Sequence, residues 1–358
     1  MAVASGQDED EGAVGRRERR VVDHADWEQV VTAATRAPSI HNTQPWRFTA
    51  SEDGLGVFTD PTRALPVLDP SGRQRIISCG IAVEFAVVAL RARGSEAEVE
   101  LLPDPDDADH LASVRLTGPH QPSDYDRALA AAIEQRHTER SAFEPRAVPE
   151  ELLDRLQREA GTFGVWVKHI TESEEEVATV FLISRAEELE QSDPAYRAEL
   201  ASWLRSDPSS TDGVPVEAVP SDDPRARPSN WLIRDFVVDR REQRDFLQPG
   251  DPDAPPPEVE RPTVVLLGTD QDDRYAWVQS GRALGRVLLV ATAAGLAASP
   301  LTQALDWPAT RTRLQSRLSL VGHPQMLLRM GYPPEPTPQG TSGRRPVSEV
   351  LRFERAAG

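Results

Sequence analysis

The run Thr35-Arg36-Ala37-Pro38-Ser39-Ile40-His41-Asn42-Thr43-Gln44-Pro45-Trp46-Arg47-Phe48 gathers polar groups where an amphipathic helix should simply stop. Ser39, Asn42 and Gln44 bring a hydroxyl and two amides to a helix end. There they could exchange hydrogen bonds with a flat polar heterocycle. Taken alone, Pro-Ser is also an ordinary helix end with an Asx turn. A second constellation is cationic. In Arg136-His137-Thr138-Glu139-Arg140 an extended chain points Arg136, Thr138 and Arg140 to one side, although by itself this is equally a solvated charge run. Arg344-Arg345 follows a Gly-Ser-Pro-rich approach and reads, in isolation, as a surface pair. The histidines show no metal-ligand spacing, and no GxGxxG, GxxxxGK[ST] or GxSxG motif occurs, so neither a metal nor a Rossmann or P-loop nucleotide site is expected.

The elements that must position these groups follow from periodicity. Trp27, Val30, Val31 and Ala34 keep the spacing of a helix with one buried face, ended by Pro38, and Trp46 and Phe48 alternate as a strand does. Another helix, Tyr125 to Gln135, leads into Arg136. A degenerate repeat runs through the chain at an offset of 201: Gly80 and Gly94 bracket an Ala-rich helix as Gly281 and Gly295 do, and Ala82, Ala92 and Val87-Val88 match Ala283, Ala293 and Leu288-Leu289. Val114 to Gly118 and Leu327 to Gly331 read as corresponding strands. An early helix from Glu150, entered through Val148-Pro149, answers the one at Trp27. Ala160-Gly161-Thr162-Phe163-Gly164 stands where the first half has its polar loop, so that loop is absent from the second copy. Val347 to Phe353 is strand-like.

Residues 1–20 read as a disordered tail, 21–120 as a first half and 121–358 as a second. The second half is interrupted at about 190–260 by an insertion that starts with a helix, Tyr196 to Arg205. With Trp203, Trp231, Phe236 and Phe246, the stretch 196–246 is expected to be a partly ordered lid, and Pro249 to Arg261 a flexible return. The net charge of −18 argues against nucleic acid, so any anionic ligand needs a local arginine cluster. Cys79 is the single cysteine, which leaves no intramolecular disulfide. With no apolar signal segment and no run of transmembrane length, the expectation is a cytoplasmic protein without membrane contact.

The segment APSIHNTQPWRF resembles the APSxxNxQPWRF loop of the flavin-dependent nitroreductase superfamily. It is most similar to the Acg-type branch, in which His precedes the Asn and two nitroreductase-like halves share one chain. The resemblance implies an α+β, nitroreductase-like fold, two related halves fused as a pseudo-dimer with a lid insertion. It implies FMN as cofactor: Arg136 and Thr138 at the phosphate, with Arg344 and Arg345 completing the cluster, Arg140 at the pyrimidine edge, and His137 within the motif. Pro38, Ser39, Asn42 and Gln44 would come from the other half, and Gly295-Leu296-Ala297-Ala298-Ser299-Pro300-Leu301 would lay Ser299, Pro300 and Leu301 against the ring. Only one set of these pieces survives, so one FMN per chain and a monomer are expected.

The implied activity moves a hydride from NAD(P)H, a transient donor, through FMN to a nitroaromatic, quinone or similar small aromatic acceptor. His41 and His137 are not required for that chemistry, and no catalytic side chain is assigned. The alternative is an FMN storage or sequestering protein with a lid-covered flavin and little turnover. A flavin-free protein that keeps only the fold is a third option.

Overall fold

Helix α1 (His24–Thr35) forms because Trp27, Val30, Val31 and Ala34 lie on one face, and all four are buried. The Trp27 indole donates to the Ser51 carbonyl at 3.0 Å and fixes the helix over the hairpin that follows. This computed structural model describes residues 24–216, 260, 262–334 and 342–354. The tail, the lid residues Trp231, Phe236 and Phe246, and all of the expected return except Glu260 lie outside the described residues.

The first half continues with β1 (Trp46–Ala50), β2 (Gly54–Thr59), α2 (Arg73–Ala92), β3 (Ser95–Leu101) and β4 (His110–Pro119), after which α3 (Asp124–Gln135) leads to the cationic segment. The second half repeats the order with α4 (Glu150–Gly161) and β5 (Trp166–Ile170). It then adds α5 (Ser173–Ser192), α6 (Pro194–Ser202), β6 (Leu204–Arg205) and β7 (Val214–Pro215). It resumes with β8 (Thr263–Thr269), α7 (Arg274–Ala293), β9 (Ala297–Pro300), α8 (Gln303–Asp306), α9 (Pro308–Arg317) and β10 (His323–Gly331), and closes with α10 (Val347–Val350) and β11 (Leu351–Phe353). The two main sheets have matching orders, β1-β2-β4-β3 and β5-β8-β10-β9, and β11 adds to the first as a parallel neighbour of β1, with Phe48 opposite Leu351. The C-terminus of the second half thus completes the sheet of the first.

The offset of 201 seen in the sequence relates α2 to α7 from end to end, Arg73 to Arg274 and Ala92 to Ala293. Contrary to the expectation from the sequence, the repeated glycines do not all bracket the helices. Gly94 and Gly295 follow the last turns with φ of 89° and 80°, where a Cβ is disfavoured. Gly80 and Gly281 instead lie inside the helices at their crossing. A Cβ on Gly80 would sit 2.5 Å from the Val278 carbonyl oxygen, and one on Gly281 would sit 2.2 Å from that of Ile77, Val278's own counterpart. The contacts are reciprocal, so the halves meet about a local two-fold axis between these glycines.

Two element expectations shift. The helix expected from Tyr196 begins at Pro194, capped by the Asp193 carboxylate on the Ala195 N–H at 2.8 Å, and ends at Ser202. Trp203 then packs on the cluster of Leu65, Leu68, Tyr196, Leu200 and Val214. The strand expected over Val347 to Phe353 is one helical turn followed by three strand residues, because Pro346 sets a φ of −54° that starts a turn and only Leu351–Phe353 reach the register of β1.

Candidate functional site

A cavity of about 400 Å³ opens where the two halves meet. Its floor is apolar: Ile77 and Ile81 from α2, Leu284 and Leu288 from α7, and Met326 and Leu328 from β10. Its charged lining is mostly cationic. Arg36, Arg136, Arg140 and Arg344 all line it, and Glu134 is the only carboxylate among the described lining residues. In a chain of net charge −18 this is a strong local reversal of sign.

Each side chain is placed by an identifiable constraint. After α3 the chain runs beside β9: Thr138 bridges to Ala298 and the Glu139 N–H donates to the Ala298 carbonyl at 3.1 Å. The extended backbone then turns Arg136, Thr138 and Arg140 to the cavity, and Ser299 and Pro300 join them from the paired strand. His137 reaches the rim, and its Nε2 lies 3.4 Å from a Glu139 carboxylate oxygen. That hydrogen bond raises the His137 pKa, against the opposing effect of burial.

The polar loop after α1 is held in a conformation that non-glycine residues seldom adopt: His41, Asn42 and Gln44 have φ of 46°, 53° and 48°. Positions of this kind persist only when their surroundings fix them. Here the Ser39 hydroxyl accepts from the Gln44 N–H at 2.9 Å, and the Ile40 N–H donates to the Ser78 hydroxyl on α2 at 3.2 Å. Asn42 Nδ2 donates to the carbonyls of Gly213 at 3.0 Å and Gly343 at 3.2 Å, while its Oδ1 accepts from Arg344 Nη1 at 3.2 Å. Gln44 Nε2 donates to the Thr211 carbonyl at 2.7 Å, and its Oε1 accepts from the Arg345 N–H at 2.8 Å.

These bonds sort the expected residues by position. Pro38, Ser39, Asn42, Arg136, His137, Thr138, Arg140, Ser299, Pro300 and Arg344 are brought together on the cavity; Gln44, Leu301 and Arg345 are not. Gln44 is fully buried with its amide spent on tying three loops together. Leu301 is fully buried in the apolar cluster with Leu305 and Leu327. Arg345, the neighbour of Arg344 on an extended chain, points the other way, to the Gln44 carbonyl at 3.3 Å and toward Asp60 at 3.6 Å. Asn42 lines the cavity, yet both ends of its amide are engaged by protein, which makes it the support of Arg344.

Sequence reasoning missed Arg36, Glu134, Ser342 and the floor. Arg36 stood inside the quoted motif. Four of the floor residues carried a signal too, since Ile77, Ile81, Leu284 and Leu288 lie on the repeated helices.

Arg136 and Arg344 have no ion pair to a described residue. The Arg136 guanidinium has no hydrogen bond or ion pair to any described residue, and its Nε is buried without a partner, as is that of Arg344. Burial, with Arg344 and Arg36 adding repulsion, pushes the Arg136 pKa down to about 9; burial and Arg36 push Arg344 down to about 10. Arg140 is held at about 10, by burial first, with Glu139 opposing and Arg329 contributing. Arg36 pairs with Glu134 at 2.9 Å on the exposed rim. Convergent unmet donors beside an apolar floor suit a ligand with a phosphate at one end and a flat ring at the other. FMN fits that division.

The equivalent place across the two-fold axis is filled. Where α2 presents Ile81, α7 presents Arg282; where α7 has Gly285, α2 has Glu84, which is fully buried. Glu84 pairs with Arg282 at 3.2 Å and with Arg286, which also reaches Glu159 at 3.3 Å. Phe163, from the shortened loop after α4, stacks under Arg282 at 5.0 Å.

No family model matches the chain. Among curated proteins it is 36% identical over 326 residues to a Mycobacterium tuberculosis protein named "Putative NAD(P)H nitroreductase", covering 90% of both chains. It is also 32% identical over 329 residues to the M. tuberculosis protein of the same description called acg, covering 90% of this chain and 93% of that one. Among solved structures, the FMN-dependent nitroreductase NfnB from Mycobacterium smegmatis in complex with NADPH is similar over 65% of this chain and 100% of that one. Its identity is 18% and its TM-score 0.37, a superposition too loose to transfer any detail.

Proposed function

The chain belongs to the nitroreductase family, in the branch that includes acg, and on that premise we propose that it is an FMN-dependent oxidoreductase taking a hydride from NAD(P)H and passing it to a nitroaromatic, quinone or similar acceptor. The observation that carries the reading is the convergence of Arg36, Arg136 and Arg344 on an apolar-floored cavity, with Arg136 lacking any partner among the described residues. FMN, when bound, supplies the hydride relay.

The chain's own residues bind and orient. Arg136 and Arg344, with Arg36 nearby, would take the phosphate dianion of FMN, and Thr138 would add a hydroxyl donor. Arg140 would face the pyrimidine edge of a bound FMN, where a fixed cation would favour the negative charge that reduction adds. Ser39 and Asn42 hold the loop that closes one side, and the backbone of Ala298 to Pro300 closes another. No side chain is needed as a proton donor, so His41 and His137 carry no assigned step.

The division into halves at about residue 120 explains why one site draws on both. The charged filling around Glu84 supports one FMN per chain, and because each site needs both halves of a single chain, a monomer suffices. The lone buried Cys79 suits a reducing cytoplasm.

The test is the absorption spectrum of the purified protein, followed anaerobically on addition of NADH or NADPH. A yellow protein that bleaches and is reoxidised by a nitroaromatic or a quinone is expected. A colourless protein indifferent to added FMN would remove the cofactor. A yellow protein that neither donor bleaches would replace turnover with storage.

A further inference from the structure

We propose that Arg329 and Glu260 are positioning residues that set Arg140 in the cavity wall, an assignment that rests on the flavin reading above. Arg329 lies in the middle of β10 and is fully buried. Its Nη2 donates to the carbonyls of Glu139 at 3.1 Å and Ser141 at 2.7 Å, the two residues that flank Arg140. Its Nη1 donates at 2.7 Å to a carboxylate oxygen of Glu260, which is itself buried and also accepts from the Phe143 N–H at 3.1 Å. The Phe143 ring lies beneath the guanidinium at 4.6 Å.

A buried arginine in a central strand is costly unless its charge and donors are met. Here Glu260 meets the charge, and Nη2 is spent on the backbone of one short segment. That segment has no regular pairing of its own beyond the contact of Thr138 and Glu139 with Ala298. A guanidinium fork that grips the carbonyls on both sides of a residue fixes where that residue's side chain starts. Arg140 is therefore aimed by Arg329, and Arg329 is held in turn by Glu260, three residues before β8. Glu260 was expected in a flexible return; its 4% exposure and its ion pair show an anchored residue instead.

A role in packing alone and a role in aiming Arg140 separate in the midpoint potential of bound FMN, measured by reductive titration against a reference dye. Arg329→Met with Glu260→Gln removes both charges together, so neither is stranded. This double variant should keep FMN but bind it about tenfold more weakly. Its potential should fall toward that of Arg140→Ala, because the cation at the pyrimidine edge is no longer fixed. In an Arg140→Ala background the same pair of substitutions should shift the potential no further.

The proposal is overturned if the double variant keeps wild-type affinity and potential, or if the potential falls equally with and without Arg140. Should the double variant fail to fold, Arg329→Lys keeps the charge beside Glu260 with a single ammonium that cannot fork across both carbonyls. A lowered potential is expected there, and an unchanged one overturns the assignment. Wild-type protein that binds no FMN would bring down the flavin reading and this pair with it, whereas failure of the pair alone leaves wild-type FMN binding intact.

Discussion

Replacing Arg136 by Ala should move the free and the FMN-bound protein in opposite directions. In the free protein its guanidinium has no described partner, and burial together with Arg344 and Arg36 holds its pKa at about 9. The charge is retained at neutral pH and is a burden there. Its removal should therefore leave the apo-protein as stable or more stable, by on the order of 1 kcal/mol, an apo Tm higher by about 2 °C. In the complex the same residue meets the phosphate, and a charge-assisted hydrogen bond contributes roughly 1.5–3 kcal/mol, so FMN affinity should fall about ten- to a hundredfold. If FMN is present at about 100 times the wild-type Kd, it stabilises the wild type by about 2.7 kcal/mol but the variant by only about 0.4–1.4 kcal/mol. Apo-protein titrated with FMN by flavin fluorescence quenching, and thermal unfolding with and without FMN, give both halves. An apo Tm that drops by several degrees would show that Arg136 is a structural residue. An unchanged Kd would refute the phosphate assignment whatever the Tm does.

Three further outcomes follow from the packing. Flavin released on denaturation of the FMN-saturated protein should approach one per chain, since Glu84, Arg282 and Arg286 fill the equivalent place; a reproducible value near two would show that the filling yields. Gly281→Ala drives a Cβ to 2.2 Å from the Ile77 carbonyl oxygen at the crossing of α2 and α7 and should destabilise by about 3 kcal/mol in urea unfolding, the upper end for overpacking. Gly161→Ala, whose Cβ meets nothing within 4 Å, should be neutral or stabilising by up to about 1 kcal/mol, and equal losses for both would remove the steric account. Asp69, which accepts from the Gln74 N–H at 3.1 Å and the Arg75 N–H at 2.9 Å, has its pKa raised by burial to about 6. The native state thus keeps a proton that the unfolded chain releases from about pH 4. Its contribution to stability is present below pH 4 and is lost as pH rises to 6, by at most about 3 kcal/mol. Stability of the wild type relative to Asp69→Asn should decline across that window, and a flat difference would show that Asp69 is not buried as a neutral acid.

What the sequence by itself determined was local and periodic. The buried face of α1, the strand at Trp46, the helix ending before Arg136 and the offset between α2 and α7 are all written in residue spacing, because helix and strand periods follow from backbone geometry alone. The α2–α7 offset already implied two related halves. The motif residues likewise marked the loop and the cationic segment that meet at the cavity. Only the tertiary structure decided which side chains face it. Arg344 and Arg345 are equivalent in sequence, but Asn42 holds one toward the cavity and Gln44 the other away. Leu301 follows two cavity residues, yet turns into the apolar cluster around Leu305 and Leu327. In irregular segments a side chain's direction is set by hydrogen bonds to residues hundreds of positions away, and no periodicity in the chain records them. The same holds for Glu260, whose place beneath the cationic segment depends on an arginine in β10 that nothing in its own neighbourhood announces.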